Sequence, residues 1–374
     1  MHPAYSYLAS CPLPHERGGR LDGWVIPAKD TANVAGWPTS WGSPLRTRTA
    51  VGTSPFVAVL VSLGAVIDRK TVSSELGATV YAERPDVPVL ESPFYPGCTP
   101  GGSSTGAAVV VAEGLHRAAH GSDAGGSLRV PAAACEVVGF KPAGLPASGS
   151  VDGFITTTVA DQVELWGLGP RSLDSLTVGV LTDPLFTPRA QVESERVEVV
   201  KQAADALSSV CSVRELEPYS SAPETYRHFT TRITHSFIGV DPLDSAYIAW
   251  LRDEGRRVST SDLTETRRHI AALPEIVRAE WGVDAVLTPM ITADPPPLGL
   301  FPSLSPADSF EAQTEWTPWG SLFNLTGAPA VAVGPLQIGG VSADNATVLE
   351  LARVVEPIAE AWRGRRRKGH SAAG

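Results

Sequence analysis

Two glycine-glycine-serine elements stand close together in this chain, Gly101-Gly102-Ser103 and Gly125-Gly126-Ser127. A serine hydroxyl becomes a useful nucleophile when a base takes its proton during attack. Paired glycines ahead of a serine let the backbone turn sharply and bring its N–H groups against a ligand. An oxyanion hole needs such donors, fixed where negative charge develops. The chemistry suggested is therefore attack on a carbonyl carbon, but other readings of the same residues stay open. A glycine-serine loop can be a plain connection, and glycines also cradle phosphates, although GxxxxGK[ST] is absent. The G-x-S-x-G nucleophile elbow is missing as well. The eight histidines form neither an HExxH pair nor a recognisable base for serine; His116 and His120 read as residues that cap or flank a strand.

The elements around these loops alternate between strand and helix patterns. Residues 22–30 read as a strand through Trp24, Val25 and Ile26 that stops at Pro27 and delivers Lys29 at its end. Residues 54–63 read as a buried helix and Ala65-Val66-Ile67 as a short strand. Glycine and proline crowd the stretch from Pro93 to Gly102, and 103–113 reads as a small-residue helix leaving that loop. A further strand ends near His120 and feeds the loop GSDAGGS. Residues 176–181 read as a strand, and 191–209 as a helix with Val197, Val200, Ala204 and Leu207 on one stripe. The segment 284–289 is a buried strand pattern. The expected fold is α/β: a single large domain, its twisted mixed sheet flanked by helices on both faces. Residues 1–362 form that domain, and the basic run from Arg363 reads as a frayed, disordered tail over 363–374.

Composition narrows the function classes. Hydrophobic residues make up 43% and charged residues 19%, a balance suited to a soluble chain with a substantial core. A net charge of -10 argues against a nucleic-acid groove. Apolar runs such as Gly106–Ala112 are too short to span a bilayer. Cys11, Cys98, Cys135 and Cys211 lie far apart with no metal-ligand rhythm, and the N-terminus shows no export signal, so a cytoplasmic address is expected.

The block 97–142 resembles the signature of the amidase signature family. The matching residues are Gly101-Gly102-Ser103-Ser104, the run from Gly121 through Ser122, Asp123 and Ala124 to Ser127, then Arg129, Pro131-Ala132-Ala133, Cys135 and Gly139-Phe140-Lys141-Pro142. Upstream, Ala28-Lys29-Asp30 followed by Gly36, Thr39 and Gly42-Ser43 is similar to the strand-end segment that carries the family's base. Lys70 resembles a second family lysine that is not the base. Weaker likeness continues through 176–183, 284–289 and 323–330, and the short N-terminus looks most like plant-type indole-3-acetamide hydrolases.

The resemblance implies Ser127 as nucleophile, Ser103 as proton relay and Lys29 as base. It implies an oxyanion hole from the backbone of Ala124, Gly125, Gly126 and Ser127, with Ser104, Ser122, Asp123 and Arg129 in support. The implied substrate is a small-molecule carboxamide, with no metal and no organic cofactor, no nucleic acid and no membrane; a homodimer is left open. Acyl transfer to an amine, a non-catalytic amidase-like binding module and a subunit of a tRNA-dependent amidotransferase are the alternatives. The chain also departs from the pattern. Thr105 and Ala107 replace the usual Gly and Ser of the helix start, and Glu136 stands where a glycine is usual, adding a carboxylate near the expected site. The stretches 144–174 and beyond Pro329 are short. Nine tryptophans, among them Trp37, Trp41, Trp166, Trp316 and Trp319, are candidates for either an apolar pocket or the core.

Overall fold

The computed structural model describes residues 1–145 and 149–372, with 367–372 as backbone only. The chain opens with β1 (Tyr5–Leu8), β2 (Ala28–Lys29), β3 (Pro38–Thr39), β4 (Arg48–Thr49), α1 (Pro55–Ser62) and β5 (Arg69–Thr71). The central part runs α2 (Thr105–Ala112), β6 (Ala118–Asp123), α3 (Arg129–Ala134), β7 (Val138–Lys141), β8 (Val151–Thr156), α4 (Val159–Trp166) and β9 (Thr177–Val180). Then come α5 (Ser194–Leu207), β10 (Ser212–Glu215), α6 (Ala222–His235), α7 (Ala246–Arg257), α8 (Thr260–Trp281) and β11 (Ala285–Pro289). The last elements are α9 (Leu300–Ser303), α10 (Pro306–Trp316), α11 (Leu322–Leu325), β12 (Ala330–Val333), β13 (Leu336–Gly340) and α12 (Asn345–Ala372).

Eight strands form one mixed sheet in the order β10-β9-β11-β13-β12-β7-β8-β6. Pairing is parallel from β10 through β9 to β11 and antiparallel across the rest. Because side chains alternate faces along a strand, β11 and β12 feed two cores. Leu287, Val331 and Val333 pack with α5 and α12, through Val199, Val200, Leu349, Leu351 and Val355. Val286 and Ala330 face the other way, against Leu273, Val277 and Trp281 of α8, while Ala332 meets the α2–α3 side. The expected α/β domain with helices on both faces is what the chain adopts. β1, β5 and β2 make a small separate sheet, and β3 pairs with β4.

Several boundaries differ from the sequence reading. Of 22–30 only Ala28–Lys29 is a strand, with Val25 and Val66 joined by a single parallel bridge. The strand expected at 65–67 falls instead at Arg69–Thr71, where β1 and β2 supply partners on both sides. β6 does not stop at His120; it pairs with β8 as far as Asp123 opposite Val151. The buried stripe of α5 is Arg196, Val199, Val200, Ala203 and Leu207, rotated from the expected one because Arg196 is drawn inward to Asp294 at 2.6 Å and to the Trp362 ring. Helix α1 buries only Val57 and Leu60.

The tail expected from 363 is also different: α12 continues to Ala372. Arg366 donates to Asp294 and Glu195, at 2.7 Å each, and its guanidinium lies over Trp362. Two carboxylates and an aromatic face thus hold the helix past the last apolar turn. Residues 373 and 374 lie outside the described residues.

Candidate active site

Strand register separates the two buried lysines of the N-terminal segment. In the parallel pair β2–β5, Ala28 is opposite Lys70 and Lys29 is opposite Thr71. Neighbouring positions on a strand point to opposite faces, so the two ammonium groups leave the sheet in opposite directions. Lys70 meets Asp30 Oδ1 at 2.8 Å, Thr39 Oγ1 at 2.9 Å and the Pro38 carbonyl at 3.0 Å. Lys29 has no carboxylate in contact among the described residues. Its Nζ lies 2.7 Å from Ser103 Oγ and 3.1 Å from Ser122 Oγ. Burial pushes Lys29 down to about 7, and the more distant carboxylates of Asp123 and Asp152 only partly oppose this. Burial also lowers Lys70, against the pull of Asp30. Lys29 thus lies where an amine can be neutral near pH 7, while Lys70 is held in an ion pair with Asp30.

The serines arrive on two loops pressed together. Ser103 and Ser104 precede α2, and the Gly102–Ser103 peptide is cis. Ser127 follows β6, after Gly126 at φ +122°, a conformation that favours glycine. The Ser104 N–H donates to the Ser127 carbonyl at 3.2 Å. This approach requires Gly121: a Cβ there would sit 2.7 Å from Ser104 Oγ and 2.6 Å from Leu128 Cδ2. Ser103, Ser122, Ala124 and Ser127 border one cavity of about 440 Å³. Ser103 and Ser127 share that wall without a hydrogen bond between their hydroxyls.

Asp123 and Arg129, both fully buried, fix the second loop. Arg129 Nε and Nη2 reach the two carboxylate oxygens at 3.0 Å each, a forked pair. The Gly126 N–H (2.7 Å) and the Leu128 N–H (3.1 Å) donate to the same carboxylate. Asn324 Nδ2 donates to it as well, and Gln337 and Asn324 accept from Arg129. Burial alone would raise Asp123, but Arg129 and these donors hold it well below the usual carboxylate range. Because Asp123 occupies the Gly126 N–H, the donors of the loop still free to face the cavity are the N–H groups of Ala124, Gly125 and Ser127, none of which has an acceptor among the described residues. Behind Lys29, His120 Nδ1 accepts the Lys29 backbone N–H at 3.2 Å, which leaves Nε2 as the donor to Asp152 at 3.1 Å.

Comparison with known proteins agrees with this geometry. The Amidase family model matches residues 5–166. A putative amidase of Synechocystis sp. is 29% identical, over 89% of this chain and 74% of its own length. A bacterial aryl acylamidase of the amidase signature family has the same fold, with a TM-score of 0.78 at 19% identity, covering 94% of this chain and 86% of that one. The likeness is to the amidase signature family, carried by the match over residues 5–166. The substrate-bound 6-aminohexanoate cyclic dimer hydrolase also shares the fold, with a TM-score of 0.80 at 22% identity over 91% of this chain and 86% of that enzyme.

Some expected features of the site lie elsewhere. Glu136 is not at the catalytic cavity. It is buried at the α3–β7 corner with φ +55°, accepting from Tyr95 Oη at 2.6 Å and from Trp362 Nε1 at 2.9 Å, and so ties that corner to α12. Of the five named tryptophans, Trp41 lines the cavity. Trp37, Trp316 and Trp319 are buried in the cores, with Trp166 packed against two of them. Sequence reasoning gave His120 only a place beside a strand and assigned no role to Asp152, Asn324 or Gln337. Asn324 falls within 323–330, where likeness to the family was visible without a function for the residue. It also missed α6, whose Phe229, Arg232, Ile233 and Ser236 wall the cavity opposite the serines.

Proposed function

We propose that this chain is an amidase that hydrolyses small carboxamides through an acyl-enzyme on Ser127, with Ser103 and Lys29 moving the proton. The observation that carries the reading is a lysine lowered to about 7 by burial and set 2.7 Å from the Ser103 hydroxyl. As Ser127 Oγ bonds to the amide carbon, its proton passes to Ser103 Oγ while the Ser103 proton moves to neutral Lys29. The Ala124, Gly125 and Ser127 N–H groups hold the oxyanion, each worth roughly 3–4 kcal/mol in comparable sites. When the C–N bond breaks, the proton returns from Lys29 through Ser103 to the departing amine. Water then attacks the ester by the same relay in reverse and frees the acid and Ser127.

Arg232 supports a narrower substrate class. It is half-buried in the cavity wall and has no carboxylate or hydrogen-bond partner among the described residues; desolvation alone lowers it. The neighbouring wall is apolar, with Phe229, Ile233, Phe237, Trp41 and Leu325. A guanidinium without a counter-charge beside apolar groups suits a substrate with a hydrocarbon body and a terminal carboxylate.

Turnover of a panel of primary and secondary amides, with and without a distal carboxylate, tests both levels. Hydrolysis of none of them refutes the amidase reading. Equal preference for charged and neutral members refutes the role of Arg232 alone.

A further inference from the structure

Outside the catalytic cavity, α6 and α8 bring two imidazoles and a carboxylate together. Glu224 and His228 lie one turn apart on α6, on the same helix face. His269 comes from α8. The His228 and His269 rings are 4.5 Å apart between centroids, and one donor atom from each of the three residues lies within 4.8 Å of the other two.

The hydrogen bonds around the rings leave one nitrogen of each free. Thr225 Oγ1 donates to the Ser221 carbonyl at 3.0 Å, so toward His269 Nε2, at 2.7 Å, it is an acceptor. His269 then carries its proton on Nε2 and presents an unprotonated Nδ1, which has no partner among the described residues. His228 Nδ1 meets Thr266 Oγ1 at 2.9 Å. His228 Nε2 is buried with no hydrogen bond and points to Glu224 Oε1 at 3.5 Å. A neutral His pair alone would strand that buried nitrogen, a loss native interiors avoid. Metal-binding histidines characteristically have the far ring nitrogen fixed by a hydrogen bond, and here the Thr225 and Thr266 hydroxyls supply one to each imidazole.

We propose that Glu224, His228 and His269 form a site for a divalent transition metal ion of the zinc type, clamping α6 to α8. Tetrahedral zinc, with ligand distances of about 2 Å, needs donor atoms roughly 3.3 Å apart. The Glu224–His228 separation meets this, and small side-chain rotations bring in His269. Water takes the fourth position on the outer side, where Glu224 is exposed. Arg227, 3.4 Å from both Glu224 and Glu265, is the competing cation, and binding would shift it toward Glu265. Since α6 also carries Phe229, Arg232 and Ile233, the ion would brace the cavity wall without touching substrate.

The test titrates the full, untagged chain with Co²⁺ and Zn²⁺, following cobalt absorption and thermal stability. One saturable equivalent, with tetrahedral d–d bands and no sulfur-to-cobalt band from the free cysteines, is the expected result. Glu224→Gln and His269→Gln should each weaken binding by roughly tenfold or more, and the double variant should remove both the bands and the Zn²⁺-dependent rise in Tm. Glu224 is exposed, so the fold tolerates its replacement. Absence of saturable binding, cysteine-type bands, or undiminished binding in the double variant would overturn the proposal.

Discussion

Lys29 and Lys70 sit on adjacent strands in a register that turns one toward Ser103 and the other toward Asp30. That offset gives two similar buried amines different work. Lys29→Met should lower kcat by a factor of about 10²–10⁴, with Tm unchanged or raised, because a desolvated amine is removed. Lys70→Met should do the reverse. It leaves Asp30 buried without its cation, a loss of roughly 3–5 kcal/mol, while the folded fraction keeps its catalytic pH profile. Denaturation curves beside kcat for the two variants check this, and a Lys70 variant that folds normally but is inactive would contradict it.

Lys29 accepts a proton only when neutral, so activity should rise with pH. With Lys29 lowered to about 7, kcat/KM should climb through a limb centred near pH 7. The Asp152 carboxylate favours the ammonium form; Asp152→Asn should therefore move the limb to lower pH. A limb that stays in place or moves upward in this variant would argue against Lys29 as the titrating group.

The Arg129–Asp123 fork is structural, and its loss should appear in stability first. Arg129→Met leaves a fully buried carboxylate with only neutral donors, and roughly 3–5 kcal/mol of stability should go with it. Urea unfolding measures the effect. A change under about 1 kcal/mol would mean that the backbone donors and Asn324 suffice to hold Asp123.

Arg232 should matter for binding more than for chemistry. Arg232→Gln is expected to raise KM for a carboxylate-bearing amide by a factor of about 10 or more and to leave kcat within threefold. For a neutral amide of the same length KM should hardly move. An equal rise for both substrates would place Arg232 in the packing of the wall instead.

How much of this was legible beforehand depended on whether local pattern or distant packing decided each position. The serine loops, α2 and the small residues between them are set by local backbone demands, and those demands leave glycines in the sequence; Gly121 is a case where any side chain would collide with Ser104. Choosing Lys29 over Lys70 rested on resemblance, since the register that separates them appears only when β5 pairs at Arg69–Thr71. Asp123 taking the Gly126 N–H was hidden because a carboxylate in a loop has many equivalent acceptors. Arg196 was missed because an arginine in an amphipathic helix reads as a solvated face until the chain packed against it is known, and Arg232 because the helix that carries it was not read from the sequence. Glu136 was misplaced because nearness in sequence to the signature was read as nearness in space.

Covalent trapping tests the central claim most directly. The protein would be treated with a fluorophosphonate at pH 8 and the modified peptide located by mass spectrometry, beside Ser127→Ala and Ser103→Ala. One adduct per chain is expected, on Ser127, absent in Ser127→Ala and much slower to form in Ser103→Ala. An adduct on Ser103, Ser104 or Ser122 in the active enzyme, or full labelling of Ser127→Ala, would contradict it.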